Sequence, residues 1–296
     1  MKEIKSNTKR RKRRSIYIII SMIAAIIFFL SPISACLRSM IVMGVYNKIQ
    51  EKDSLLEEYG IELAIPGGSS TTEDDWYPFV MTFNADASYS RYIGEKDARL
   101  TILYNFPSFS AANGCSMLFD QASPYYNSFY GAYLVQDSAN KVLKEGKIDH
   151  ARVAAISRFD FFGLVLNEFG LLKEDEVFTL EIIDEAYGVT CAGVDGWTRM
   201  QAQLLINGAA HNPRKKVISY LQYGVPGFGE VEEEFDPVAM TAIIYGRYFQ
   251  EWDIGVYFYV MGVSEDICIT CENDIIRQSV INPTDYDTQQ DREAYQ

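Results

Sequence analysis

From Ser15 to Leu37 the chain carries no charged residue, and Lys9–Arg14 (KRRKRR) and Arg38 bound that run on either side. No other feature constrains the fold as strongly. As a helix rising ~1.5 Å per residue the run extends about 34 Å, against about 30 Å for a hydrocarbon core. Basic clusters are retained on the cytoplasmic side, so the expected topology is single-pass at the cell membrane, N-terminus cytoplasmic, with everything after the run extracellular.

Three fates of the run compete. A cleaved signal peptide usually has an apolar core of about 7–15 residues, shorter than this one. Ile33-Ser34-Ala35-Cys36 resembles a bacterial lipobox, which makes Cys36 a candidate lipidation site. A lipoprotein would continue as a polar tether, whereas here LRSMIVMGVY follows. The continuing apolar character favours a signal anchor, and all three fates put the body outside the cytoplasm.

The formal charge of −13 conceals an asymmetry: residues 1–14 hold 8 of the 27 basic residues and one of the 40 acidic ones. The remaining body is strongly acidic. It repels phosphate backbones, so nucleic acid is excluded as an expected partner.

The chain divides by composition into a basic cytoplasmic tail (1–14), a transmembrane signal anchor (15–37), a juxtamembrane helix and linker (38–75), an extracytoplasmic domain (76–281) and a disordered polar tail (282–296). Residues 38–63 read as helical, with Ile41, Val45, Ile49, Leu56 and Leu63 at helical spacing. Such a stripe suits a connector packed on the domain or membrane surface, or a dimerising stalk. Pro66-Gly67-Gly68-Ser69-Ser70-Thr71-Thr72 reads as linker. In the domain, YPFVMTF (77–83), RLTILYNF (99–106), FYGAYLV (129–135), VFTLEII (177–183), MQAQLLI (200–206) and VISYLQY (217–223) read as strands, and GVYFYVMGV (255–263) as a central one. A helical section is expected from about Ser138 to Phe169, with Asp149 as a cap. PVAMTAIIYGRYF (237–249) is expected to be a helix, with Asp236 as the N-cap and Pro237 at the first helical position. The expected fold class is α+β, one domain of predominantly antiparallel strands with a central helical section.

Chemistry-bearing groups are few. Cys268-Ile-Thr-Cys271 lies after a strand and before a possible helix, the local order of thioredoxin-like motifs. Such a fold needs further strands and a cis-proline, which 272–296 do not supply, so the pair is read as a disulfide or two buried thiols, with thiol exchange as a third class. Gly188-Val189-Thr190-Cys191 with Arg199 downstream resembles the Thr-Cys dipeptide and trailing arginine of sortases over about a dozen residues. That resemblance implies a cysteine transpeptidase with Cys191 as the reactive thiol, Arg199 as the trailing arginine and His150 as the upstream histidine that would pair with the thiol. His150, however, sits at an expected helix start, and a long stretch follows Cys191. The other histidine, His211, lies in an expected turn. Acids beside Trp76, Trp197 and Trp252 offer a sugar-binding composition, the run Glu230–Asp236 offers carboxylates, and Tyr125–Tyr130 offers a recognition loop. No metal or cofactor motif is present.

The expected function is a membrane-anchored bacterial envelope protein whose acidic domain is a binding or assembly module. Its partners would be the membrane, protein or cell-wall polymer, and a second copy through the juxtamembrane helix. The alternative is a cell-wall enzyme, a carboxylate-based hydrolase or a cysteine transpeptidase.

Overall fold

Seven strands pair antiparallel in one sheet in the computed structural model, which describes residues 2–29, 32–68, 76–110, 115–136, 142–166, 170–211 and 233–283. They are β2 (Met81–Asn84), β3 (Arg99–Asn105), β4 (Phe129–Gln136), β5 (Phe178–Cys191), β6 (Val194–Asn207), β7 (Pro237–Phe249) and β8 (Ile254–Gly262), in the order β2-β3-β4-β8-β7-β6-β5. Strand β1 (Ile61–Ala64) pairs separately with β9 (Val280–Pro283). The helices are α1 (Lys2–Phe29), α2 (Pro32–Lys52), α3 (Leu55–Glu58), α4 (Asp86–Ile93), α5 (His150–Arg158) and α6 (Glu265–Asp274). Helix α5 runs on into a π-helical segment, Phe159–Leu166. The class is mixed α+β, with a mostly antiparallel sheet.

Both faces of the sheet are covered. Ile102, Tyr133, Tyr259 and Met200 point to a core closed by α4, α5 and the π-helical segment. Leu134, Phe258, Tyr245 and Trp197 point to a second core under α3, α6 and the β1–β9 ladder. Double burial explains why β8, every residue of which is buried, reads as an unbroken apolar run, and β8 is indeed the middle strand.

Local sequence sets the turns and edges. Ala192 and Gly193 link β5 to β6 with φ of 51° and 76°, the left-handed pair that a two-residue hairpin turn requires. On the opposite edge, α2 covers β2. The Thr82 N–H donates to Asn47 Oδ1 and the Asn84 N–H to Gln50 Oε1 at 2.9 Å, while Met43 is buried in the first core. Helix side chains thus satisfy edge groups that would otherwise invite another strand.

Several expectations need correction. The segment 237–249 is a strand. Proline is tolerated as the first residue of a strand, and Pro237 pairs with Asn207 at its start. Within the expected helical section, Leu143–Lys144 and Lys147–Ile148 form a short hairpin ahead of the helix that opens at His150, and residues 138–141 lie outside the described residues. Residues 38–63 divide into α2, α3 and β1. Gly67 and Gly68 are docked rather than free linker: the Gly68 N–H donates to Tyr77 O at 2.8 Å, and a Cβ on Gly67 would lie 2.3 Å from Pro78 O. Residues 282 and 283 belong to β9, and the rest of the expected tail, like VISYLQY (217–223), lies outside the described residues.

The expected membrane helix over 15–37 corresponds to α1 and α2, with residues 30 and 31 outside the description, and the expected basic tail is part of α1. Among the described residues no helix is long and apolar enough to cross a membrane. The uncharged part of α1, Ser15 to Phe29, covers about 22 Å at ~1.5 Å per residue.

Candidate functional site

The sequence candidates do not assemble. Cys191 ends β5, is buried in the second core, and places its Sγ 3.8 Å from the Ile276 carbonyl, to which the thiol donates. Burial pushes its thiol up to about 12, the opposite of what a nucleophile needs. His150 opens α5 on the other face of the sheet, where its Nε2 contacts Glu185. Tyr187 also donates to Glu185, and Lys147 lies 4.7 Å above the Tyr187 ring. Burial would raise the Glu185 carboxyl, but the hydrogen bonds from Tyr187 and His150 outweigh it and hold it below the usual range.

Arg199 is engaged elsewhere. Its Nε and Nη2 donate to the two carboxylate oxygens of Glu272 at 2.7 and 2.9 Å. The Tyr245 hydroxyl donates to the same carboxylate, and Arg277 Nη2 stands 3.4 Å away. Burial pushes the Glu272 carboxyl up, and the hydrogen bonds of Arg199 and Tyr245 overcome that push, leaving it below its ordinary value. This network clamps α6 to β6 and β7. Ser264 caps α6, accepting from the Ile267 N–H at 3.4 Å. The CxxC pair therefore lies inside a helix rather than ahead of one. Cys268 and Cys271 are buried thiols not joined in a disulfide, with Cys268 Sγ donating to Thr241 O at 3.5 Å. Burial pushes the Cys268 thiol up to about 12. Thiols so enclosed are unreactive while α6 stays seated.

The aromatic candidates are also interior. Trp76, Trp197 and Trp252 are 1%, 0% and 8% exposed, so none offers a ring to a sugar. Tyr125, Tyr126 and Tyr130 are buried, and Trp76 packs edge-on against Tyr125 and Tyr130, so this stretch is core rather than recognition loop. His211 pairs with Glu233 in a two-residue ladder. Residues 230–232 of the acidic run lie outside the described residues, as do the side chains of Glu233, Glu234, Cys36 and Cys115.

One group escaped the sequence reading. Asp160 stands in the π-helical segment, and Tyr133 donates to its Oδ2 at 2.7 Å. The Tyr133 and Tyr259 rings stack at 4.4 Å, and the Tyr259 hydroxyl donates to Leu103 O at 3.3 Å. Burial raises the Asp160 carboxyl to about 6, against the lowering effect of the Tyr133 hydrogen bond. A small cavity bounded by Asp160, Phe129, Phe161 and Met261 adjoins a second one under Val153 and Ile156. Each has room for about one water. The cluster can exchange a proton near neutral pH but has no space for an organic substrate. The readable sign was a carboxylate inside the apolar run RFDFFGLVL (158–166).

Strand β5 leaves its outer edge uncommitted among the described residues. It is an edge strand of 14 residues, and no other strand of the described residues pairs with its outer side. Ile183 and Tyr187 are 49% and 51% exposed along it, among Glu181, Asp184 and Glu185. Among the described residues no group of three or more His, Cys, Asp or Glu is placed to hold a metal ion. No family model, curated protein or solved structure matches the chain.

Proposed function

We propose that the chain is a single-pass membrane protein of the cell envelope, N-terminus cytoplasmic, whose acidic domain outside the membrane is a binding or assembly module for an extended protein segment. The observation that carries this reading is the open edge of β5, long enough to accept a partner strand along its whole length. Strand addition draws affinity from backbone hydrogen bonds, and exposed Ile183 and Tyr187 supply side-chain contacts. The opposite edge is shielded by α2, so among the described residues the β5 edge is the one left open. The acidic residues along β5 favour a basic segment.

Anchorage is supported by the Lys9–Arg14 cluster and by α1, on which Ile16, Ile19, Ile23 and Ile27 are each more than half exposed. An apolar helix so exposed is stable only beside another apolar phase. A crossing of about 30 Å requires the path to continue beyond Phe29 into the start of α2.

Two measurements test the proposal. Protease added to intact cells should digest the domain and leave the N-terminal tail; a domain that resists until lysis refutes the topology. A photoreactive residue at position 183 or 187 should give discrete adducts in cells, unlike one at Tyr92, an exposed site on α4. Equal or absent adducts at all three positions refute the edge as the binding surface.

A further inference from the structure

Helix α2 has two faces with different tasks. The inner face, with Met43, Asn47 and Gln50, docks on the sheet edge. The outer face carries Leu37, Ile41, Val45 and Ile49, four residues apart, with exposures of 47%, 66%, 57% and 56%. At about 100° per residue these align in one stripe, and Lys48 and Lys52, both exposed, fall within it. Glu51 lies about a quarter-turn to the side. The stripe is therefore apolar and cationic, with no carboxylate on it, in a body otherwise crowded with them.

We propose that this stripe lies in the headgroup region of an anionic bilayer, so that α2 seats the domain against the membrane surface. The inference rests on the membrane reading above. Two observations select lipid as the occupant. The stripe follows directly on the exposed apolar residues of α1, so the same bilayer is already adjacent in the chain. Its lysines complement anionic headgroups, while an acidic domain without them would be repelled from such a surface. A second copy suits the stripe less well. A parallel pair of stalks would set Lys48 and Lys52 against their own counterparts. Docking on the domain through Asn47 and Gln50 also fixes the angle at which the open β5 edge is held relative to the membrane.

The test uses the full chain reconstituted in vesicles, with an environment-sensitive fluorophore on Val45→Cys and Cys36 and Cys115 replaced by serine. Val45 is exposed, so the label does not disturb the core. In vesicles containing phosphatidylglycerol, a lipid-tethered quencher should reduce emission severalfold more than aqueous iodide does. The preference should diminish in phosphatidylcholine alone and in the double variant Lys48→Glu, Lys52→Glu. A label at Tyr92→Cys should stay accessible to iodide. Several results would overturn the inference. Protein that pellets with vesicles while the Val45 label remains open to iodide leaves the anchor standing and sinks the interfacial helix. Protein that stays in the supernatant sinks both. Protection of the Val45 label from both quenchers, together with disulfide-linked dimers when the unlabelled Val45→Cys protein is oxidised, assigns the stripe to a second copy. Lipid quenching at both label sites means non-specific insertion.

Discussion

Replacing Asp160 with asparagine should stabilise the protein at pH 8 and do progressively less as the pH falls. The carboxyl is raised from an ordinary 3.8 to about 6 in the fold. Above pH 6 it is ionised in both folded and unfolded chains, and the fold bears the cost of a charge under the π-helical segment. Between about pH 4 and pH 6 the folded state takes up a proton that the unfolded state does not, so stability falls as pH rises through that window. Two units correspond to about 3 kcal/mol at ~1.4 kcal/mol each. Asp160 is only half-buried as a residue, so solvent screening trims the penalty to about 1–2 kcal/mol. Asparagine keeps an oxygen to accept from the Tyr133 hydroxyl, so the exchange removes charge and little else.

Urea unfolding of the full chain in detergent micelles measures the effect, with the buried Trp76, Trp197 and Trp252 as fluorescent reporters. Comparing the variant with the native chain at each pH cancels every other titrating group that lies far from the site. The gain at pH 8 should be about 1–2 kcal/mol and about half that at pH 5. Tyr133→Phe should act oppositely, because loss of its hydrogen bond leaves the ionised carboxyl without a donor. A gain independent of pH, or a loss at pH 8, would refute the claim that a costly buried charge resides here.

Other substitutions probe the rest of the framework. Glu272→Gln should cost about 2–4 kcal/mol, below the ~3–5 for a fully buried pair because the Arg199 side chain is 18% exposed. Since the Glu272 carboxyl is held low, its contribution is present above the unfolded value near 4.3 and lost as pH falls through the folded one. The variant's acid-unfolding curve should therefore lack that component. Gly131→Ala would put a Cβ 2.0 Å from Leu103 O in the adjacent strand, and a loss of at least ~1–3 kcal/mol should appear in the urea midpoint. Cys191, Cys268 and Cys271 should resist a maleimide in the native state and react on denaturation, as read by intact mass. Prompt native labelling of all three would contradict the packing of α6.

The strands that announced themselves in the sequence were those whose burial matched their pattern. β8 is apolar throughout because both of its faces are covered, and β3 and β4 share that environment. β7 has the same environment but opens with Asp236-Pro237, a pair that serves a helix start and a strand start equally well. Local chemistry could not break that tie. The decision came from pairing with β6 on one side and β8 on the other.

The candidate chemistry failed for a related reason. Cys191 and Arg199 are a hairpin apart, and the motif reading assigned them a shared task. Yet Arg199 is claimed by Glu272, 73 residues onward, and that same closure of α6 on the sheet keeps Cys191 out of solvent. A nucleophile needs access and a base, and neither is encoded in the spacing of two residues. Asp160 is the converse case. Its carboxylate interrupts an apolar run, which was visible, but the run's packing beneath two stacked tyrosines from β4 and β8 is what turns an interruption into a group that titrates near pH 6. An isolated charge in an apolar helix is thus a more dependable guide to unusual chemistry than a familiar dipeptide, because burying it carries an energetic cost wherever the chain folds, whereas the dipeptide's meaning depends on what covers it.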